Sequence, residues 1–228
     1  DPITRFFPDY PTGGKVITVE HLLTHTSGIV SYTGKPGYVS TMGKDFTVAQ
    51  MIDGFRNDPL EFEPGTQFRY NNSGYFLLGA IIERVSGTSY ASFLEQRIFT
   101  PLGMKDTAYE GGERSNAPRA AGHSAQEKGF APAQPLSMSQ PYAAGALVSS
   151  VDHLATWDGA LSSGKLLKPA SWKLAFTAYK LNPEKSTGYG YGWSVGTLQG
   201  APVIDHGAGI NGFRTYALRL PEQKNFVA

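Results

Sequence analysis

The stretch from residue 64 to residue 79, PGTQFRYNNSGYFLLG, constrains the fold more than any other part of the chain. A Pro-Gly turn leads into a short extended run, and an apolar helix follows at once. Asn72 or Ser73 is expected to cap this helix, and Gly87 is expected to end it. The pattern predicts one apolar face formed by Leu77, Leu78, Ile81, Ile82 and Val85.

Tyr70 and Asn72 flank the turn at the mouth of this helix. A phenol and a carboxamide presented together at a helix N-terminus suit proton transfer and carbonyl binding. The same residues also fit a simpler structural interpretation, in which Asn72 caps the helix and Tyr70 packs on the turn. Spacing alone favours the structural interpretation.

The other elements indicate an α+β fold. Five further helices are predicted from caps and apolar periodicity: 19–26 after Thr18, 48–57 after Thr47, 90–99 after Ser89, one ending near 162 after Ser149 or Ser150, and 169–179 from Pro169. Loops are expected over 28–43 and, with a strand or two, over 108–141. The chain after residue 188 reads as strands, with a Gly-rich turn over 207–212.

The composition excludes several classes of function. Twenty basic and nineteen acidic residues give a net charge of +1. The chain therefore has no strong electrostatic field that would favour binding to nucleic acid or to an anionic membrane. The longest apolar run, Tyr75 to Ile82, is far too short to span a bilayer. With no cysteine, the chain has no disulfide, thiolate nucleophile or zinc–thiolate site. At 228 residues it can bury a sizeable core.

His21 and His25 have the spacing of metal ligands on one helix face. The Glu that a zinc-protease motif needs after the first His is replaced by Leu22, and no third ligand is evident. We therefore expect structural hydrogen bonding at the helix end rather than a metal site.

The only Ser-x-x-Lys sequence runs from Ser162 to Lys165. In serine acyl-transfer enzymes this spacing places a nucleophile one helical turn from a lysine that accepts its proton. Here Gly164 lies inside the motif, where a helix is expected to end, so the lysine should point into solvent from a loop. The motif is interpreted as a chance match.

His206 opens the sequence His-Gly-Ala-Gly after a short apolar run. Small residues let a substrate lie against a strand edge, where a backbone N–H can serve an oxyanion and the imidazole can act as a donor. Gly-rich turns between strands are common, so this signal is weak by itself.

Taken together, five segments resemble the serine β-lactamase-like superfamily, in the branch of class C β-lactamases, D-Ala-D-Ala peptidases and related esterases. They are DPITRFFPDYP, ITVEHLLTHTSGI, FEPGTQFRYNNSGYFLLGAIIERVSGTSYASFLEQRIFTPLGM, GYGYGW and DHGAGINGF. The resemblance covers nearly the whole chain. It implies one catalytic domain over 1–228, with a helical and loop subdomain over about 18–145 and the helices and strands of a partial antiparallel sheet over about 146–228.

The resemblance also implies roles for single residues. Tyr70 and Asn72 match the Tyr-x-Asn motif, in which Tyr70 would be the acid/base and Asn72 would hold the substrate carbonyl. His206 matches the start of a His-x-Gly motif, as electrostatic donor and part of the proton network. Gly207 and Gly209 would line the substrate-binding edge, where Gly209 would supply an oxyanion N–H. Ala208 stands where the family has glycine and could crowd that edge.

The family's first motif, Ser-x-x-Lys, is expected upstream of residues 1–11, so the chain is expected to begin after the nucleophile and to stop before the last strand and helix. Such a fragment would be inactive alone and complemented by an N-terminal segment of the same protein. The parent is expected to be a serine hydrolase of β-lactams, D-amino-acid peptides or esters, including peptidoglycan-like peptides, without a cofactor. The alternative is a non-catalytic peptide-binding or scaffold protein. Only the resemblance favours an extracytoplasmic location.

Overall fold

The computed structural model describes residues 1–110, 119–182 and 184–228. Part of the loop-rich region predicted over 108–141 therefore lies outside the described residues, at 111–118. The α-helices of the described ranges are α1 (Val19–Leu23), α2 (Tyr38–Thr41), α3 (Val48–Asp53), α4 (Asn72–Ser86), α5 (Tyr90–Leu94), α6 (Thr100–Leu102), α7 (Val151–Ser163) and α8 (Pro169–Ala175). Short 3-10 turns span Ile3–Arg5, Tyr32–Gly34 and Tyr142–Ala144, and a π-helical turn spans Glu95–Phe99.

The central helix α4 begins one residue earlier than the sequence indicates. Asn71 is its cap: this residue is extended, and its Oδ1 accepts a hydrogen bond from the Gly74 N–H at 3.0 Å. The prediction that Asn72 or Ser73 caps the helix is therefore wrong. The Ser73 hydroxyl is instead bound to the backbone of the loop formed by residues 30–32. Gly87 ends the helix in the left-handed conformation, as predicted.

The main hydrophobic core surrounds α4. Leu77 and Phe76 are fully buried, while Val85 of the predicted apolar face remains 68% exposed because it lies in the last turn. At Gly79, a Cβ atom would collide with the ring of Tyr142, so the glycine allows α4 to pack closely on the turn Tyr142–Ala144. Other fully buried members of this core are Ile3, Ile17, Leu22 and Phe55.

Most predicted helices exist, but several are shorter than expected. The caps of α1, α3, α5 and α7 are Thr18, Thr47, Ser89 and Ser150, as predicted. The helix predicted to reach residue 57 ends at Asp53, before Gly54, and the helix begun by Pro169 ends at Ala175. No helix within the described ranges has the length and apolar content that crossing a membrane requires.

The strands confirm an antiparallel arrangement. β1 (Ala108–Tyr109) pairs with β4 (Leu147–Val148), and β2 (His123–Ala125) pairs with β3 (Phe130–Pro132). The main described sheet has four strands in sequential order: β5 (Ser194–Leu198), β6 (Ala201–Ile210), β7 (Phe213–Leu220) and β8 (Asn225–Val227).

The Gly-rich turn predicted over 207–212 is wrong. β6 continues to Ile210, and only Asn211 and Gly212 turn the chain. Gly207 lies opposite Tyr216 and Gly209 lies opposite Arg214. A Cβ on Gly207 would lie 3.3 Å from the Tyr216 ring, and one on Gly209 would overlap the Arg214 guanidinium. The glycines therefore make room for large side chains of β7 on the same face, which a turn prediction from composition misses.

A second, smaller core joins this sheet to α7 and α8. Trp157 stacks on Trp193 with ring centroids 5.8 Å apart, and Ile204 of β6 is buried in the same cluster. Arg219 of β7 forms an ion pair with Asp158 of α7. This packing fixes the face of β6 that carries Ile204, and His206 lies on that same face because side chains alternate along a strand.

Candidate active site

Tyr70 lies just before α4, and the residue is 48% exposed. The ring centroid is 4.2 Å from that of His25 and 6.0 Å from that of His206. Burial raises the pKa of Tyr70, so the phenol is protonated at neutral pH. Tyr70 is therefore placed as a hydrogen-bond donor and a proton source that solvent or a ligand can reach.

Asn72 is the first residue of α4, and capping by Asn71 leaves its carboxamide free for other contacts. Its Nδ2 donates to the Thr33 Oγ1 at 3.1 Å, and its backbone N–H donates to the Ser31 Oγ at 3.2 Å. The two hydroxyls lie 3.1 Å apart. The bond to Thr33 thereby holds the Nδ2 of Asn72 in place. The Oδ1 of Asn72 takes no part in that bond.

His206 reaches the same place from the sheet. Its Nε2 lies 3.0 Å from the hydroxyl of Tyr189, a buried residue whose ring also touches those of His25 and Tyr70. Burial lowers the pKa of His206, so its imidazole is neutral at pH 7. It was predicted as an electrostatic donor. A neutral ring can donate one hydrogen bond but provides no positive charge to Tyr70.

The edge of β6 beyond His206 is open. β5 pairs with β6 only as far as Asp205, which lies opposite Ser194. Residues 206–210 thus have no partner strand on that side within the described sheet. Along a strand, the backbone N–H and C=O groups of every second residue face the same edge, so alternate residues of 206–210 can bind an extended carbonyl ligand there. The Ala208 methyl lies on the His206 face of the strand.

Both histidines of the candidate metal pair are hydrogen-bonded to the backbone. The Nδ1 of His21 accepts from the Thr18 N–H in a capping box, and the Nδ1 of His25 accepts from the Asn71 N–H. The sequence predicts that both histidines form structural hydrogen bonds at the end of the helix. In the structure the bond of His21 lies at the start of α1 instead. Within the described ranges, no group of three or more acidic, His or Cys residues forms a candidate metal site.

Ser162 is an exposed residue near the end of α7, beside Arg219 of β7 and not beside Tyr70. Its hydroxyl accepts from Arg219 at 2.9 Å. Gly164 caps α7 in the left-handed conformation, so the helix ends inside the Ser-x-x-Lys sequence and Lys165 follows it, as predicted. An intact helical turn between the serine and the lysine is therefore missing.

Sequence reasoning assigned no site role to Thr33, Tyr189 or His25. Thr33 contacts the site only through tertiary packing, for which local patterns give no signal, whereas Tyr189 lies in GYGYGW, one of the five segments that carry the family resemblance. For His25 there is also a signal, since it lies in ITVEHLLTHTSGI, another of these five segments. This signal did not indicate what the side chain does.

Comparisons with known proteins show the family of the chain. The family model described as Beta-lactamase matches residues 1–228. The chain belongs to the beta-lactamase family. Penicillin-binding protein 4* of Bacillus subtilis is 31% identical over 98% of the chain and 52% of its own length. The D-aminopeptidase of Gluconobacter oxydans is 25% identical over 95% of the chain and 41% of its own length.

The family fold is also seen among solved structures. A D-stereospecific amidohydrolase from Streptomyces sp. superposes with a TM-score of 0.83 and 29% identity, covering 99% of this chain and 72% of that one. The α+β, beta-lactamase-like fold indicated by the sequence is thus confirmed. The chain spans about half the length of the curated relatives it matches.

Proposed function

We propose that the protein containing this chain is a serine hydrolase that works through an acyl-enzyme, with Tyr70, Asn72 and His206 in its active site. One observation carries the proposal: in a member of the beta-lactamase family, the Tyr70 ring lies 6.0 Å from His206 and beside the open edge of β6. The phenol and the imidazole meet there beside a strand that can bind a carbonyl group, and the carboxamide of Asn72 lies two residues after Tyr70 at the start of α4.

Each residue has a distinct proposed task. Tyr70 is the acid that protonates the leaving group and, after acylation, helps to activate water. Asn72 binds the substrate amide or carbonyl. His206 is a neutral donor in the hydrogen-bond network, and Gly207 and Gly209 belong to the strand edge that carries the oxyanion N–H.

The raised pKa of Tyr70 sets a requirement for this mechanism. A phenol with a pKa above its usual value near 10 acts as a base at neutral pH only if a cation lies beside it. His206 is neutral and does not supply that charge. We propose that a lysine of a Ser-x-x-Lys motif supplies it, and that this motif belongs to a segment of the protein outside residues 1–228. The chain alone is then inactive.

The proposed substrates contain a carbonyl group with a leaving group: β-lactams, D-amino-acid amides or peptides, and esters. The relatives named above are a penicillin-binding protein, a D-aminopeptidase and a D-stereospecific amidohydrolase. The open edge of β6 suits all these substrates, because an extended amide or ester can align with backbone N–H and C=O groups. A small molecule or a peptidoglycan-like peptide is accordingly the proposed partner.

The test is the intact mass of the protein after incubation with a fluorophosphonate or a penicillin. It is run on residues 1–228 and on a version extended through the upstream segment, with Ser162→Ala as the control. We expect a stable adduct on the extended protein only, and an unchanged adduct in Ser162→Ala. Labelling of residues 1–228 would place the nucleophile inside this chain. An unlabelled extended protein would favour a non-catalytic binding protein.

A second experiment tests Tyr70 in the extended protein. Tyr70→Phe should lower turnover of p-nitrophenyl acetate by about 100-fold, the effect of losing a proton-transfer group. The free energy of unfolding should change little, because the hydroxyl is not held by the core. Unchanged turnover would mean that Tyr70 is only a packed turn residue.

A further inference from the structure

His25 is the most buried polar ring beside the candidate site, and the proposed mechanism does not use it. The residue is 2% exposed, although it lies in the turn that ends α1. Its backbone has φ of 57°, a left-handed conformation that is uncommon for a residue other than glycine. Such a conformation at a buried position points to a constraint imposed by the surrounding contacts.

The ring of His25 lies at the centre of an aromatic cluster that includes Tyr70. Its centroid is 4.2 Å from Tyr70, at an interplanar angle of 37°, which is the shortest of its four ring contacts. The other three rings lie at 4.9 Å, 5.0 Å and 6.1 Å and belong to Tyr75, Tyr189 and Phe68. The exposed phenol therefore rests on a buried imidazole that is held from the other sides.

His25 also holds the backbone on both sides of Tyr70. The Arg69 N–H donates to the His25 carbonyl at 2.9 Å, and the Asn71 N–H donates to the His25 Nδ1 at 3.0 Å. One residue thus fixes the residue before Tyr70, the residue after it and the ring itself. Asn71 is also the cap of α4, so the same contacts set where the helix begins.

These contacts determine the protonation state of His25. Its Nδ1 faces an N–H donor, so that nitrogen must be unprotonated, and the proton of the neutral ring lies on Nε2. Nε2 is buried, and no described residue provides a hydrogen-bond acceptor for it. A charged ring would place an Nδ1–H against the Asn71 N–H donor and would bury a positive charge.

We infer that His25 is a positioning residue, a constantly neutral ring that sets the place and orientation of Tyr70 through its ring contact and through the bonds to Arg69 and Asn71. This inference rests on the proposed function of Tyr70. Burial also lowers the pKa of His25, to about 3, which agrees with the neutral state. His25 acts through Tyr70 and has no contact with substrate in this assignment.

Two substitutions separate its two contacts. His25→Asn keeps an oxygen near the position of Nδ1 as an acceptor for the Asn71 N–H but removes the ring. His25→Phe keeps the ring and removes the acceptor. His21→Asn is the matched control, because His21 is the neighbouring imidazole of the same segment and is bonded to Thr18 rather than to the Tyr70 region.

The assay is a double-mutant cycle with Tyr70→Phe, measured as p-nitrophenyl acetate hydrolysis by the extended protein. We expect His25→Asn and His25→Phe each to lower kcat by about 10- to 100-fold with little change in KM, as for a misplaced catalytic group. In the Tyr70→Phe background either change should add less than about twofold, because the group it positions is already gone. His21→Asn should leave kcat unchanged.

The inference would be overturned if a His25 substitution lowered kcat equally with Tyr70 and with Tyr70→Phe. A folded His25 variant with the kcat of the wild type would also overturn it. If Tyr70→Phe itself has no effect, the proposed function of Tyr70 fails instead. A readout that needs no activity then decides about His25: the ¹⁹F resonance of 3-fluorotyrosine incorporated at position 70. A shift in His25→Asn and none in His21→Asn supports positioning, and an unshifted resonance in both refutes it. If His25→Asn does not fold, the same criteria are applied to His25→Phe.

Discussion

Asn71 and Asn72 are adjacent in sequence, but their replacement by alanine should have different effects. Asn71→Ala should lower stability, and Asn72→Ala should lower activity. The Asn71 side chain is buried and makes two bonds, accepting from the Gly74 N–H and donating to the Ile29 carbonyl. The Asn72 side chain is half-buried, and its Nδ2 donates to Thr33. The first residue therefore stabilises the fold, while the second is available to a substrate.

The magnitude for Asn71→Ala follows from these two bonds. Loss of a helix cap costs about 1 kcal/mol, and a buried carbonyl left without its donor costs about 1–3 kcal/mol. The free energy of unfolding should fall by about 2–4 kcal/mol, which lowers Tm by about 4–16 °C for a domain of this size. Asn72→Ala removes no cap and one partly solvated bond, so it should cost less than about 1 kcal/mol.

The assay is chemical denaturation followed by circular dichroism, combined with ester hydrolysis by the extended protein. Asn71→Ala should be less stable, and Asn72→Ala should keep its stability and lose activity. Asn71→Asp is a useful control, because it keeps the cap but sets a carboxylate against the Ile29 carbonyl. If Asn72→Ala proved the more destabilised of the two alanine variants, the cap would be assigned to the wrong residue.

Two further predictions concern the surroundings of Tyr70 and Asn72. Thr33→Val removes the acceptor of the Asn72 amide and should lower kcat/KM for p-nitrophenyl acetate by about tenfold, the equivalent of about 1.4 kcal/mol, while Thr33→Ser retains most activity. The second prediction concerns pH: the pKa of His25 is lowered to about 3 from 6.5, so the unfolded state binds a proton that the native state excludes. That contribution to stability is present above pH 6.5 and falls by about 3 kcal/mol between pH 7 and pH 4. His25→Phe should remove this part of the pH dependence in denaturation experiments, and an unchanged dependence would contradict the neutral state.

The sequence predicts those parts of the fold whose causes are local. The caps Thr18, Thr47 and Ser89 and the stop at Gly87 follow from side chains within a few residues of each helix end, and the structure confirms them. The choice of Asn71 rather than Asn72 as the cap has a different cause. Asn71 also bonds to His25 and Ile29, and such long-range contacts outweigh a local preference shared by both residues.

The candidate site is predictable only in part, for the same reason. Tyr70, Asn72 and His206 belong to short motifs, so they can be selected from the sequence, and their catalytic roles remain predictions. Thr33 belongs to none of the segments of the resemblance, and its relevance follows only from its bond with Asn72. Tyr189 lies in GYGYGW, but the segment does not show that its hydroxyl is bonded to His206. The glycines of β6 were misjudged because composition does not show that Tyr216 and Arg214 lie across them.

A last prediction contrasts two glycines that both lack room for a methyl group. A Cβ on Gly190 would collide with the Ala175 carbonyl and lie 2.9 Å from that of Thr177, whereas a Cβ on Gly209 would meet only the end of the Arg214 side chain. The Ala175 carbonyl at the end of α8 is fixed by the Tyr191 N–H, which donates to it at 2.9 Å.

A flexible guanidinium can move aside, and a bonded carbonyl cannot. Gly190→Ala should therefore cost about 3 kcal/mol, the upper part of the range for overpacking, and Gly209→Ala less than about 1 kcal/mol. Because Gly190 follows Tyr189, the first substitution should also disturb the hydrogen bond between Tyr189 and His206 and reduce kcat. Differential scanning calorimetry of both variants decides the point. Equal Tm values for Gly190→Ala and Gly209→Ala would mean that the segment before β5 moves as easily as a surface side chain. That segment would then not hold His206 in place.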